Sequence, residues 1–186
     1  GTLIEAARIL KETHAVRVVL AGEPDPGNPA TVDASTLQAW QDAGLAEWWG
    51  FQAEMEAVYP QAVVVTLPSL GEGLPTALIE AAACGRAIVA TDVPGCREVV
   101  EDGVNGLLVP PNEPVALAHA LARLLDDAAL RKSMGAAGRQ RVMAQFADRL
   151  IIAKIVEIYR RLLPVEKARL LISREVDPKG GKNGLP

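Results

Sequence analysis

The sequence predicts an α/β protein built on a doubly wound parallel sheet. Three observations carry this. Short apolar runs, several of them rich in Val, recur along the chain, the pattern of parallel strands covered on both faces. Amphipathic helical segments alternate with them, as crossover connections require. Gly- and Pro-rich turns separate the two kinds of segment. The 186 residues suffice for one domain with a core. A hydrophobic share of 49% with 23% charged residues is ordinary for a globular domain. The formal net charge of -4 argues against a basic nucleic-acid-binding surface. No apolar run approaches the ~18 residues of a membrane-spanning helix, which leaves peripheral membrane contact open. Cys84 and Cys96 sit in or beside apolar helical segments and read as two reduced, buried thiols rather than a disulfide or metal site.

Thr2 to Thr13 is a helix with Leu3, Ala6, Ala7 and Leu10 on one face. Val16 to Ala21 is a strand ended by Gly22, and the Pro- and Gly-rich Glu23 to Val32 is loop. Asp33 to Ala43 is a helix capped by Asp33 and stopped at Gly44. Leu45 to Phe51 is a strand holding Trp48 and Trp49; Glu54 to Tyr59 is a short helix. Ala62 to Leu67 is a strand, buried on both faces, that leads through a turn into an apolar helix reaching Cys84. Ala87 to Thr91 is a strand, Asp92 to Gly95 a turn, and Cys96 to Glu101 a short helix. Leu107 to Val109 is the last strand, stopped by Pro110 and Pro111. Helices follow over Pro114 to Leu125, Leu130 to Gln145 (Arg and Lys on its solvated side) and Asp148 to Leu163. The polar stretch Arg174 to Pro186, rich in Gly, Pro and Lys, is expected to be disordered. A Gly-x-Gly-x-x-Gly fingerprint is absent, which speaks against an NAD module.

Pro68-Ser69-Leu70-Gly71-Glu72-Gly73-Leu74-Pro75-Thr76-Ala77-Leu78-Ile79-Glu80 is the stretch that carries chemistry. It reads as a strand end, a Gly-rich turn and a helix start, with Pro75 in the first helical turn, where a lost N–H costs nothing. A carboxylate such as Glu80 in so apolar a helix must be paired, hydrogen-bonded or facing a cleft. Glu72 lies eight residues earlier, ~12 Å along the axis if the helix were continuous. That is too far for a shared metal and beyond the ~5–5.5 Å of a retaining glycosidase pair. It matches the reach between the two polyol ends of a nucleotide diphosphate sugar. Free helix-start amides at Gly73, Leu74 and Thr76 lie between and suit a diphosphate. The geometry assigns one carboxylate to the sugar, one to the ribose and the amides to the phosphates.

The Glu-x7-Glu spacing, followed in order by "EGLP", "TDVPG" and "DGVNGLLV", resembles family 4 (group 1) retaining glycosyltransferases of the GT-B fold. The resemblance covers residues 1–163, leaving 164–186 as a C-terminal extension. It implies a Rossmann-like C-terminal half with that half's first, central strand lying ahead of Gly1. Two neighbouring strands would then face a gap with unpaired backbone groups, and the chain alone would be poorly stable. It also implies a partner N-terminal Rossmann-like domain, and a family Arg/Lys stretch, ahead of Gly1.

By the same resemblance, Glu72 is the catalytic-site carboxylate on the transferred sugar and Glu80 binds the ribose. Gly73, Leu74, Pro75 and Thr76 line the donor through backbone groups; Ser69 either caps the helix or touches the ligand. Gly50, Phe51 and Gln52 stand at the end of the strand whose following loop meets the nucleotide base in the family, chiefly through backbone groups. The structural alternatives are a dipole-favoured helix-start carboxylate for Glu72, a buried ion pair for Glu80 and a plain cap for the amides. Arg86 fits the C-terminal dipole of its helix, and Arg97 is within reach of the cleft. His14 and His119 stand alone.

The expected reaction moves a sugar from a nucleotide-sugar donor, a UDP-sugar, to a glycan or polyprenyl-linked acceptor with retention, needing neither metal nor cofactor. The "EWWGF" and "EAAACGR" stretches resemble bacterial enzymes of O-antigen, capsule or lipid-linked oligosaccharide synthesis. That implies a cytoplasmic location, at the inner face of the plasma membrane if the acceptor is lipid-linked. Two other readings stay open: a nucleotide-sugar epimerase of the same fold, and a non-catalytic nucleotide-sugar-binding domain.

Overall fold

The computed structural model describes residues 1–27 and 31–162. The chain divides into two compact units, Gly1–Gln145 and Phe146–Pro186. The described part of the second holds one helix, α8 (Asp148–Leu162). The tail expected to be disordered lies outside the described residues.

The first unit alternates helices and strands in the expected order. It contains α1 (Thr2–Lys11), β1 (Val19–Ala21), α2 (Ala34–Asp42), β2 (Glu47–Gly50), α3 (Met55–Val58), a 3-10 turn (Tyr59–Gln61) and β3 (Val64–Leu67). There follow α4 (Thr76–Ala83), β4 (Ala87–Thr91), α5 (Pro94–Val99), β5 (Leu107–Val109), α6 (Pro114–Asp126) and α7 (Ala128–Gln145). Every strand pair is parallel. All five residues of β4 are buried, as a central strand must be. Ala87 and Val89 join a core with Leu107 and Val109 of β5, Leu117, Leu121 and Leu124 of α6, and Ala6 and Leu10 of α1. Ile88 and Ala90 face the other way by the two-residue period of a strand.

The sheet is in two pieces. β1 pairs with β2, and β3 with β4 and β5. The free edges of β1 and β3 border one cavity of about 600 Å3, lined by Val18, Leu20, Val63, Val64 and Thr66 among others. This is the gap expected between two neighbouring strands. It also corrects β3: the strand is half-buried rather than covered on both faces, because one of its edges opens on this slot. Val16 and Val18, and Ala62 and Val63, are apolar enough for strand yet fall outside it.

Other boundaries move for local reasons. Asp33 caps α2 as predicted, its side chain accepting from the Thr36 amide at 2.8 Å. Pro94 and Gly95 belong to α5 rather than to a turn, since Pro94 occupies the helix start where no N–H is needed. The arginines of α7 do not all face solvent. Arg131 donates to the Leu124 and Leu125 carbonyls at the end of α6, and Arg139 to the Ala83 carbonyl at the end of α4. Arg141 pairs with Glu101 at 3.1 Å. His14 is not alone either: its Nε2 lies 3.1 Å from Asp126 Oδ1, tying the end of α1 to the end of α6. His119 is exposed on α6.

Candidate functional site

The segment from Pro68 to Pro75 links β3 to α4. Ser69 is half-buried, and its carbonyl accepts a hydrogen bond from the Thr91 hydroxyl at the end of β4. Its side chain does not cap α4, which has no side-chain cap, so the capping alternative for Ser69 is ruled out. Pro75 is the N-cap itself, with extended backbone, one position before the first turn where it was expected. Its ring removes one donor from a helix start already short of acceptors. Among the described residues, the amides of Gly73, Leu74, Thr76 and Ala77 have no acceptor. Gly73, Leu74 and Thr76 are exposed residues.

Glu72 is half-buried and lies in the loop, not on α4. The helical rise therefore does not set its distance from Glu80; the path of the loop does. Glu72 lies close enough to the buried Cys96 for its charge to act on the thiol. The Cys96 pKa is raised by burial first, then by Glu72, against a hydrogen bond with Thr91. Cys96 and the half-buried Cys84 are both free thiols.

Glu80 is exposed on α4, so the buried-ion-pair alternative fails for it. One oxygen accepts a hydrogen bond of 3.0 Å from the Tyr59 phenol. Tyr59 is 5% exposed. Burial first, and then Glu80, raise its pKa well above the usual phenol value, so it stays a donor. Sequence reading missed Tyr59: nothing in its neighbourhood announces a partner 21 residues away.

Gly50 closes β2 in the left-handed region at φ 64, and its carbonyl already accepts from the Gly22 amide. Phe51 follows with 70% of its surface exposed. A second cavity, of about 360 Å3, opens at the carboxyl end of β1, where ligands sit in such sheets. Gly22, Glu23, Trp48 and Pro68 help line it; Glu72 and Glu80 line neither cavity. Arg86 donates to the Cys84, Pro60 and Ala62 carbonyls, the helix-end role expected. Arg97 is ion-paired with Asp92 at 2.5 Å, which engages the guanidinium expected to be within reach of the cleft.

Among the described residues, no three His, Cys, Asp or Glu side chains lie together as a metal site. No described helix is long and apolar enough to cross a membrane.

Known proteins fit this architecture. The D-inositol 3-phosphate glycosyltransferase of Salinispora tropica is 36% identical over 117 residues, covering 63% of this chain and 24% of its own length. The alpha-maltose-1-phosphate synthase of Mycolicibacterium smegmatis is 34% identical, with 78% of this chain and 40% of its own length covered. Among solved structures, sucrose-phosphate synthase from Thermosynechococcus elongatus superposes with a TM-score of 0.76 at 30% identity, covering 87% of this chain and 42% of that one. Anabaena HepE in complex with UDP-glucose superposes at 0.77 with 25% identity, covering 86% and 44%. The chain thus spans less than half the length of these relatives. The family model for glycosyl transferases group 1 matches residues 1–127. The chain therefore belongs to the group 1 glycosyl transferases, as a Rossmann-like half of their GT-B fold.

Proposed function

We propose that the loop from Ser69 to Pro75 and the start of α4 bind a nucleotide-sugar donor, a UDP-sugar. Glu72 takes the sugar hydroxyls, Glu80 the ribose, and the amides of Gly73, Leu74 and Thr76 the diphosphate. The observation that carries this is the row of acceptor-less amides with a carboxylate on either side in sequence. In support, HepE, similar in fold, was crystallised with UDP-glucose. A Campylobacter jejuni relative, 28% identical, is named as a transferase acting on a diphospho-undecaprenol acceptor.

The protein then transfers the sugar, with retention, to a glycan or polyprenyl-linked acceptor. As the glycosidic bond breaks, its electron pair leaves with the diphosphate. Amides aimed at that growing charge stabilise the transition state more than the ground state. In a front-face route the leaving phosphate accepts the acceptor's proton, so this chain supplies no nucleophile. The acceptor site and the cleft's other wall belong to an N-terminal Rossmann-like domain. The reaction takes place in the cytoplasm, at the inner face of the plasma membrane where the acceptor is lipid-linked.

Calorimetry with UDP-glucose and UDP-N-acetylglucosamine tests the donor site. Glu80→Ala is expected to weaken binding by about 10-fold or more, the worth of hydrogen bonds to a charged group. Unchanged affinity would remove the ribose assignment. Epimerised sugar formed without any acceptor would replace transfer with epimerisation.

A further inference from the structure

The donor loop is held from below by the end of β4 and the start of α5. Thr91 is buried, and its hydroxyl fixes the loop's first turn by donating to the Ser69 carbonyl. Four residues on, Gly95 is buried in the first turn of α5. A Cβ placed there would stand 2.5 Å from the Gly73 carbonyl oxygen, 2.7 Å from the Glu72 carbonyl carbon, and nearer still to the Glu72 oxygen. All three atoms are backbone and cannot rotate aside. Ordinary contact begins at 3.4 Å, so a side chain at this position displaces the loop or the helix by roughly 1 Å.

The glycine is not there for its backbone freedom. Gly95 is absent from the residues with positive φ, and alanine is the better helix former. What the position demands is the lack of a side chain, so that the Glu72–Gly73 peptide can lie on α5. The adjoining Cys96 lies near enough to Glu72 for the carboxylate's charge to act on its thiol.

We propose that Gly95, with Thr91, is a positioning residue for the sugar and diphosphate end of the donor site. It sets where Glu72 and the Gly73 and Leu74 amides stand. The ribose end is fixed separately, by Tyr59 on Glu80. This rests on the donor-site reading above. The two ends therefore respond to different substitutions.

The test uses the full-length protein, with UMP, UDP and UDP-glucose as calorimetric probes and transfer rates from the same donor. Gly95→Ala is expected to weaken UDP and UDP-glucose while leaving UMP within about two-fold. A displacement of this size costs up to about 100-fold in kcat. Tyr59→Phe is expected to weaken all three probes alike. Thr91→Val, which keeps volume and removes the hydroxyl, repeats the Gly95→Ala pattern more weakly and serves if Gly95→Ala fails to fold. Wild-type affinity and rate in both variants overturn the proposal. So does a parallel loss for UMP, since a general disturbance of the fold moves every probe. A wild-type protein that binds none of the three probes removes the donor-site reading itself, and this proposal with it.

Discussion

Two buried hydroxyls have opposite fortunes. The Tyr59 phenol is buried and spent on Glu80. Tyr59→Phe removes one hydrogen bond while keeping the ring, so a stability loss of about 1 kcal/mol is expected in a denaturant titration. Thr66 Oγ1 is buried with no partner. An unsatisfied buried hydroxyl costs roughly 1–3 kcal/mol. Thr66→Val should therefore raise the midpoint of unfolding, and a lower midpoint would show that the hydroxyl has a use. The carboxylates were legible in sequence because a charged residue in an apolar helix or a glycine turn has to be explained. Tyr59, Thr91 and Gly95 were not. Their roles depend on contacts with residues about twenty positions away, and neither composition nor spacing encodes those.

Helix ends and helix contacts decide more than helix interiors do. The Asp33 cap of α2 is held down to about 2 by the Ser35 hydroxyl first, then by the Thr36 amide and hydroxyl. A carboxyl depressed in the folded state stabilises it above the ordinary value of 3.8, and that contribution is lost as pH falls towards about 2. Amide protection in α2, corrected for the intrinsic exchange rate at each pH, should fall over this window, and in Asp33→Ala it should be low already at neutral pH. The cap was readable because Asp before a helical pattern is a local signal. The contact of α7 with the end of α4 was not. A Cβ on Gly135 would stand 2.9 Å from the Gly85 carbonyl carbon and nearer to its oxygen. Gly135→Ala should thus destabilise by about 1–3 kcal/mol, the cost of overpacking, despite alanine's better helix propensity. A rise in thermal midpoint would show that α7 can ride outward.

At the scale of the first unit, the strands that sequence placed to the residue are β4 and β5, the two that are mostly buried. Those it drew too long are β1, β2 and β3. A hydrophobic run records burial, whereas a strand also needs a neighbour to bond with. Beside the slot, β1 and β3 have a neighbour on one side only. Backbone donors and acceptors left this way are a template for foreign chain. Val63, on the rim of the slot, is 54% exposed. In concentrated solution the chain by itself should gather into larger species through these two rims, seen as scattering that grows with concentration. Val63→Lys, by putting a charge on one rim, should hold it dispersed.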